Sequence, residues 1–316
     1  MSSEKNKGRI VSKNSLNTCR RDNVTFLLMC LPVIIYLLIF SYIPMGGLIL
    51  AFKNYRYDLG ILGSDWVGLD NFKFFFQSQD ALRVTVNTVY LNFLFIIFGK
   101  TTALIVALML YEVTKRAAIK FFQTVYIFPH FISWVVAGFI TYALFNPQLG
   151  LINSIFKSIG IQPVQWYSEA RLWPAILTVV SVWKSFGMDC VIFYAALMGI
   201  NRELFEAASI DGANHLKQTV HISIPSILPI LIILIILAIG GIFRADFGLF
   251  FNITRDVGAL YSTTDVIDTY VFRGLRVVGD VGMSSAVGFY QSIVGFVLIL
   301  VTNAIVRRVQ SDSALF

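Results

Sequence analysis

The chain has 316 residues, of which 57% are hydrophobic and only 14% are charged. Soluble domains carry about 25% charged residues, so this composition excludes an ordinary soluble protein and indicates a chain embedded in lipid. The formal net charge of +7 does not indicate nucleic-acid binding, because the basic residues flank apolar runs. The cysteines, Cys19, Cys30 and Cys190, lie too far apart in sequence to suggest a disulfide framework or a zinc site.

Apolar runs recur evenly along the chain, with no linker that separates two halves. A run of about 20 apolar residues is long enough to cross a bilayer. Six such runs are present, at residues 24–52, 84–111, 121–145, 172–199, 225–243 and 286–306. We therefore predict an all-α membrane protein with six transmembrane helices in one domain, residues 24–306. A basic tail, residues 1–23, precedes it and is expected to be disordered over its first twenty residues, and a second tail covers residues 307–316.

The first apolar run follows a basic stretch, as the apolar region of a signal peptide would. It is too long for such a region, and no small-residue cleavage site closes it, so we expect it to be retained as a helix. Pro32, Pro44 and the pair Gly46–Gly47 interrupt the run, and we expect it to kink or to end in a broken turn.

Six spans leave two sets of loops and termini, one on each side of the membrane. Lys and Arg are distributed unevenly between these two sets. One set includes both termini and the segment 206–225, and its basic residues outnumber its acids, whereas the other set is balanced. Short loops with an excess of Lys and Arg remain in the cytoplasm. Both termini and the segment 206–225 are therefore predicted to be cytoplasmic. The longest loops, at 53–83, 146–171 and 244–285, are predicted to face outward.

The polar segment between the fourth and fifth runs has the signals of a short helix followed by a turn. Asn201 is placed to cap a helix over residues 202–210, and Gly212 stands where a left-handed helix end favours glycine. Pro225 is expected in the first turn of the next membrane helix. Leu204, Ala207 and Ala208 give the short helix a small apolar face. This face favours contact with another protein, although an amphipathic helix lying on lipid is the alternative.

The spacing in this segment resembles the EAA loop of ABC importer permeases. The matching pattern is Glu206-Ala207-Ala208, three residues, Gly212, nine residues, and then Ile222-Ser223-Ile224-Pro225, with Ile224 where leucine is usual. The resemblance implies that residues 201–225 form a coupling loop, whose helix seats in a groove of a cytoplasmic ATPase subunit. The residues that inherit this role are Glu206, Ala207, Ala208, Gly212, Ile222 and Pro225.

Three further stretches resemble the carbohydrate branch of these permeases, especially those for larger oligosaccharides. They are 66–72 (WVGLDNF), 128–134 (FPHFISW) and 265–271 (DVIDTYV). The resemblance implies a bacterial cytoplasmic-membrane protein that works with a second homologous permease, two ATPase subunits and an extracellular solute-binding protein. ATP and Mg would bind the ATPase, and no cofactor is implied for this chain.

Enzymatic and other transport functions are less well supported. Gly99-Lys100-Thr101 imitates the end of a phosphate-binding loop, but Leu94 stands where that motif requires glycine. The three histidines have no metal-ligand spacing, and no nucleophile stands beside a base in a recognised motif. A secondary transporter would show an internal repeat and repeated broken helices, and neither a convincing repeat nor a second kinked span is evident. A non-transport membrane subunit would leave the EAA spacing unexplained.

Charged and aromatic side chains within the spans are candidates for a substrate path. Lys184 and Asp189 lie near the middle of the fourth run, where ionisable groups usually face a bundle interior or water. They could instead pair with another helix or subunit, and aromatic residues near the membrane interfaces could serve only as belts. The complete set of candidates is Tyr126, His130, Trp134, Trp183, Lys184, Asp189 and Tyr194.

Overall fold

The computed structural model of the chain describes residues 13–309, and its side chains from 25 to 308, and the described chain is mainly helical. The longer helices are, in chain order, α1 (Lys13–Leu37), α2 (Asp70–Gln77), α3 (Gln79–Tyr111), α4 (Arg116–Phe131), α5 (Trp134–Phe145), α6 (Leu151–Ser158), α7 (Trp173–Met198), α8 (Arg202–Ile210), α9 (Ile224–Gly240), α10 (Phe247–Thr254), α11 (Ile267–Arg273) and α12 (Val281–Val309).

Short helical turns extend or connect these helices. They are single α-turns, 3₁₀ segments and π turns, at Leu38–Tyr42, Ile43–Met45, Gly46–Phe52, Gly60–Gly63, Trp166–Ser168, Ala170–Leu172, His215–Gln218, Thr219–Ser223, Gly258–Leu260, Tyr261–Thr264 and Gly274–Val278. Two strands of two residues each, β1 (Lys53–Asn54) and β2 (Asp65–Trp66), pair antiparallel with Lys53 opposite Trp66.

Five helical segments between residues 13 and 309 are long and apolar enough to cross a membrane by themselves. They are Thr25–Phe52, Gln79–Tyr111, Ala170–Met198, His215–Gly240 and Val281–Arg308. A sixth crossing results if α4 and α5 together form one span. The helices therefore correspond to the six predicted apolar runs, although the third run has a different shape from the one expected.

The third apolar run consists of two helices that meet at a sharp bend rather than one straight helix, and we call this pair the broken span. The axes of α4 and α5 differ by 99° across a short break. Ile132 and Ser133 have extended backbone conformations, and the Ser133 hydroxyl accepts a hydrogen bond from the Val136 amide at 3.3 Å. Pro129 lies inside the last turn of α4, where a proline removes one backbone hydrogen bond. The prediction that no second interrupted span exists was therefore wrong.

The first span does not end in a broken turn at its prolines and glycines, although its helical geometry changes there. A π turn at Leu38–Tyr42 precedes Pro44, and a 3₁₀ segment at Gly46–Phe52 completes a continuous helical segment. A wider turn accommodates the hydrogen bond that a proline cannot donate. The side chains of residues 25–46 are all exposed in this single chain.

Both predicted tails are partly helical. Residues 13–23, most of which were expected to be disordered, belong to α1, and Arg307 and Arg308 lie in the last turn of α12. The rest of these two predicted tails, residues 1–12 and 310–316, lies outside the described residues.

The interior is organised around the long contact between α3 and α7. At one end of this pair, Leu91 packs with Trp173 and Leu177. At the other end, small residues of α3 such as Ala103 and Ala107 pack against α7 residues in a second buried cluster. The buried members of this cluster are Ala103, Ala107, Leu110, Tyr126, Cys190, Phe193, Leu197 and Ile227. Small side chains allow helix backbones to approach closely in a membrane. Gly187 extends this close packing to α4, because a Cβ there would collide with the Tyr126 carbonyl oxygen.

Two of the sequence stretches that resemble the carbohydrate branch build the end of the molecule opposite α8. Asp265 is 1% exposed, and its carboxylate binds Arg273 and Arg83, the latter at 3.1 Å. The Asn71 amide donates to the carbonyl oxygens of Ala51 and Lys53 at 3.0 Å each. The Asp265 contacts attach α3 to α11, and the Asn71 contacts attach α2 to the end of the first span and to β1.

Candidate functional site

The coupling-loop helix α8 begins and ends as the sequence predicts. The Asn201 side chain accepts a hydrogen bond from the Glu203 amide at 3.1 Å, which caps the first turn. Gly212 has φ of +78°, and the Ala213 amide donates to the Ala208 carbonyl at 2.9 Å. This pattern is the Schellman ending that a left-handed glycine allows. Local sequence alone therefore determines where α8 starts and stops.

Three contacts hold α8 and the helical turn that follows it beside the end of α3. The Phe205 ring lies 6.0 Å from the Tyr111 ring, measured between centroids. His215 Nδ1 lies 3.4 Å from the Glu112 carboxylate, and Gln218 Nε2 donates to the Ser209 hydroxyl at 2.9 Å. Because Tyr111 ends α3 and Glu112 follows it directly, these contacts connect the coupling loop to the end of this long helix.

The face of α8 that remains free differs in part from the predicted one. Ala207 is exposed, Leu204 is 51% exposed and Ile210 is 87% exposed, whereas Ala208 is half-buried beside Phe205. The predicted face of Leu204, Ala207 and Ala208 is therefore divided, since Ala208 turns toward the protein. Glu206 and Gly212 are exposed.

The second half of the coupling loop leads into the fifth span through a widened helix. Pro225 lies in the first turn of α9, as predicted, but helical backbone already begins ten residues earlier at His215. The π turn at Thr219–Ser223 lies directly before α9, and the Ser226 hydroxyl donates to the Ile222 carbonyl at 2.6 Å. Ile222 is half-buried and Pro225 is exposed.

A second group of candidate residues meets at the bend of the broken span. Lys184 Nζ donates to the His130 carbonyl oxygen at 2.8 Å and lies 4.9 Å from the centroid of the Trp134 ring. Trp134 Nε1 donates to Asp246 Oδ2 at 2.7 Å, and Gly248 leaves room for the indole, which a Cβ would strike. The ammonium group thus sits at the carboxyl end of α4, where the helix dipole favours a cation, and against an aromatic face that also attracts it.

Asp189 does not belong to this bend cluster, because another helix neutralises it. Lys100 Nζ of α3 donates to both carboxylate oxygens of Asp189 at 2.8 Å each. The two side chains are 15% and 22% exposed and line a cavity of about 220 Å³ together with Ser185 and Gly241. Of the alternatives left open for Asp189, pairing with a neighbouring helix is therefore the one observed.

The remaining aromatic candidates lie in helix packing. Tyr126 is 8% exposed and belongs to the buried cluster of Cys190 and Phe193, against which Tyr194 is half-buried. Trp183 is half-buried against the cluster of Leu91 and Trp173 at the other end of α7. The prediction that Tyr126 lines a path is not supported in this chain, because hydropathy does not indicate which side of an apolar helix faces a neighbour.

Sequence reasoning did not single out three polar residues that contact charged or aromatic side chains in the structure. Lys100 was considered only as part of a false nucleotide motif, although a lysine inside an apolar run is itself a signal for an opposite charge nearby. Asp246 precedes an apolar stretch, the pattern of an N-cap, and its side chain accepts from the Leu249 amide at 3.3 Å. Arg255, just after α10, places its guanidinium 4.0 Å from the Tyr142 ring.

Within the described chain, no group of three or more His, Cys, Asp or Glu residues could hold a metal ion.

Comparison with known proteins identifies the family. Residues 99–311 match the family described as the inner membrane component of binding-protein-dependent transport systems. The chain belongs to this family. It is therefore a transport subunit of an ABC importer and not an enzyme, and the resemblance that was read from the EAA spacing is confirmed.

The permease is also similar to individual members of the family. It is 36% identical over 293 residues to Protein LplB of Bacillus subtilis, covering 93% of this chain and 91% of that protein. It is 33% identical over 285 residues to YteP, the polygalacturonan/rhamnogalacturonan transport system permease of the same organism, covering 89% of this chain and 87% of that protein. A crystal structure of a bacterial ABC transporter that imports the acidic polysaccharide alginate contains a chain with a TM-score of 0.84 and 31% identity. That match covers 94% of this chain and all of that chain, which confirms the ABC importer permease fold.

Proposed function

We propose that the permease forms, with a second homologous permease, the path by which an oligosaccharide enters the cytoplasm. Two ATPase subunits bind ATP and Mg and drive the movement, and an extracellular solute-binding protein delivers the cargo. The observation that carries this proposal is α8, a capped helix fixed to the end of α3 with Ala207 on its free face. The carbohydrate assignment is supported by relatives such as YteP and the alginate transporter, whose cargo is saccharide.

The way in which α8 is attached suggests how ATP-driven movement reaches the cargo. Movement of α8 acts on α3 through Phe205 and Tyr111. Farther along α3, Lys100 is paired with Asp189 of α7, and α7 also carries Lys184 at the bend of the broken span. Displacement of α8 would therefore move both long helices together, as a rigid-body change that opens the path alternately to the two sides of the membrane.

In this proposal, the substrate path passes the bend of the broken span. His130, Trp134 and Lys184 meet there, at an interruption that exposes backbone groups within an otherwise apolar run. Irregular backbone at membrane depth is tolerated where it is buried in protein or lines a water-filled cavity. Saccharides are bound by aromatic faces together with hydrogen-bonding groups, and the bend offers both.

The orientation that this function requires places both termini and α8 in the cytoplasm. We expect a cysteine at Arg276, an exposed residue opposite the α8 end, to react with an impermeant thiol reagent on intact cells. A cysteine at Lys217 should react only after the cells are permeabilised. Both variants are made with Cys19, Cys30 and Cys190 replaced by serine, so that the introduced thiol alone is labelled. Reaction at Lys217 but not at Arg276 on intact cells would contradict the orientation.

Reconstitution of the complete importer tests the function itself. The permease is purified with the proteins that accompany it and placed in proteoliposomes with its binding protein. We expect ATP hydrolysis to rise, and radiolabelled oligosaccharide to accumulate, only when binding protein, saccharide and ATP are all present. Accumulation that follows an ion gradient and does not require ATP would instead support a secondary transporter.

A further inference from the structure

The short helix α6 begins directly against the end of the broken span. It belongs to the segment 146–169, which connects α5 to α7. Asn146 folds the chain back on itself, because its side chain accepts hydrogen bonds from the amides of Gln148 and Leu149 at 2.9 Å each. The Gly150 amide donates to the Asn146 carbonyl oxygen at 3.0 Å, and a Cβ at Gly150 would strike that oxygen. α6 is therefore held at the level where α5 ends.

One side of α6 is buried, and this side fixes how the helix is rotated. Asn153 is 0% exposed, and its amide donates to the carbonyl oxygens of Pro147 and Val164 at 2.9 Å each. Its side-chain oxygen accepts from the Trp166 indole at 2.9 Å. Phe156 lies on the same side, with its ring centroid 6.0 Å from that of Trp166. Because these contacts fix the rotation, α6 presents a constant exposed surface.

The exposed surface of α6 is divided into an apolar and a polar part. Leu151, Ile155 and Ile159, which directly follows the helix, are 55%, 49% and 63% exposed. They recur every four residues and lie within about 80° of arc around the helix axis. Ser154 and Lys157 are exposed on the other part, and the side chains of Ile155 and Lys157 point about 160° apart. We call Leu151, Ile155 and Ile159 the apolar strip.

A bilayer surface fits this division better than a protein partner does. A helix in the membrane interface buries its apolar face at the boundary of headgroups and acyl chains and keeps its polar face in water. The contact with the end of α5 places α6 at such a boundary. In the proposed importer, a solute-binding protein must leave after each delivery, and interfaces that separate are less hydrophobic than permanent ones.

We infer that the apolar strip lies on the lipid bilayer, with Lys157 on the side of α6 that faces water. This inference goes beyond the proposed function, since it depends neither on the cargo nor on which face of the membrane α6 occupies. Because Gly150 and Asn146 join α6 to α5, contact of the apolar strip with lipid sets the depth of this half of the broken span.

The test measures which solvent surrounds each side of α6. A nitroxide spin label is attached to Ile155→Cys or Lys157→Cys, with Cys19, Cys30 and Cys190 replaced by serine. The complete importer is placed in vesicles of phosphatidylethanolamine and phosphatidylglycerol. Molecular oxygen concentrates in lipid, whereas a water-soluble nickel chelate is excluded from it, and power saturation of the nitroxide signal reports collisions with each. We expect the ratio of oxygen to nickel collisions to be severalfold higher at Ile155 than at Lys157.

A second pair of labelled positions on the same helix repeats the comparison. Leu151→Cys should give a ratio like that of Ile155→Cys, and Ser154→Cys should give one like that of Lys157→Cys. All four positions are exposed, so the label displaces no buried side chain. Addition of the solute-binding protein with saccharide should leave the collision rates at Ile155 unchanged.

Three results would overturn the inference. Equal and frequent nickel collisions at Ile155 and Lys157 would show that α6 stands in water. An immobilised label at Ile155 that collides with neither reagent would show that another subunit of the importer covers the apolar strip. Loss of oxygen collisions at Ile155 only after the solute-binding protein is added would show that the strip is a docking surface for that protein. None of these results bears on saccharide uptake, so the proposed function stands or fails separately in the reconstituted importer.

Discussion

The coupling loop and the bend of the broken span are built in opposite ways. Asn201, Gly212 and the residues between them form α8 through hydrogen bonds that span at most five residues. The bend joins His130, Trp134, Lys184 and Asp246, which come from three separate parts of the chain. The ends of α8 are thus specified by neighbouring residues, whereas the bend depends on how several helices pack.

The ion pair between α3 and α7 should give the largest stability effect. We expect Lys100→Met to lower the free energy of unfolding by about 3 kcal/mol, because it leaves the largely buried Asp189 carboxylate without its partner. Lys100→Met combined with Asp189→Leu should recover most of this loss. Chemical unfolding in detergent measures both variants.

An exposed ion pair provides the matched control for this prediction. Lys73 and Asp70 lie 3.0 Å apart and are each 66% exposed, so Lys73→Met should change stability by less than about 1 kcal/mol. Equal losses in Lys100→Met and Lys73→Met would mean that the α3–α7 pair contributes no more than a surface contact.

A glycine that brings two helices together should give the next largest effect. Gly187→Ala places a methyl group against the Tyr126 carbonyl oxygen, so α4 and α7 must separate, and we expect stability to fall by about 2 kcal/mol. Gly99→Ala in α3 meets no atom within 4 Å and should raise stability by up to about 1 kcal/mol, because alanine favours helix. Thermal unfolding of both variants checks the sign. A stability loss in Gly99→Ala as large as that in Gly187→Ala would contradict the packing described for α4 and α7.

The cap of α8 should give the smallest effect, confined to the coupling loop. Asn201→Ala removes the acceptor for the Glu203 amide and should destabilise α8 by about 1 kcal/mol. Hydrogen exchange at the first amides of α8 should quicken severalfold while exchange in α3 stays unchanged. Asn201→Asp keeps an acceptor and should exchange like the original protein. Faster exchange throughout the chain in Asn201→Ala would show that α8 is not a locally specified unit.

The sequence predicts features that depend on neighbouring residues and misses those that depend on distant ones. Hydropathy locates the six apolar runs, and capping rules locate both ends of α8. The bend at Ile132 and Ser133 escapes hydropathy because an apolar run remains apolar whether or not its backbone changes direction. The Lys100–Asp189 pair joins residues 89 positions apart, so only the packing of α3 on α7 brings them together.

The central claim is that the free face of α8 binds an ATPase subunit, and Ala207→Trp tests it most directly. Ala207 is exposed and lies outside the apolar spans, so the substitution disturbs no packing within the chain. Overpacking of a fitted contact costs about 1–3 kcal/mol, which corresponds to a five- to hundredfold loss in association. Ala117→Trp, at an exposed alanine in the first turn of α4, is the matched control.

The measurement is co-purification of the ATPase with the permease, followed by saccharide-stimulated ATP hydrolysis in the reconstituted importer. The account predicts that Ala207→Trp loses most of the bound ATPase and of the stimulated hydrolysis, whereas Ala117→Trp retains both. If α8 instead lies on lipid, tryptophan is favoured there. Normal ATPase retention and normal stimulation in Ala207→Trp would therefore contradict the docking role of α8.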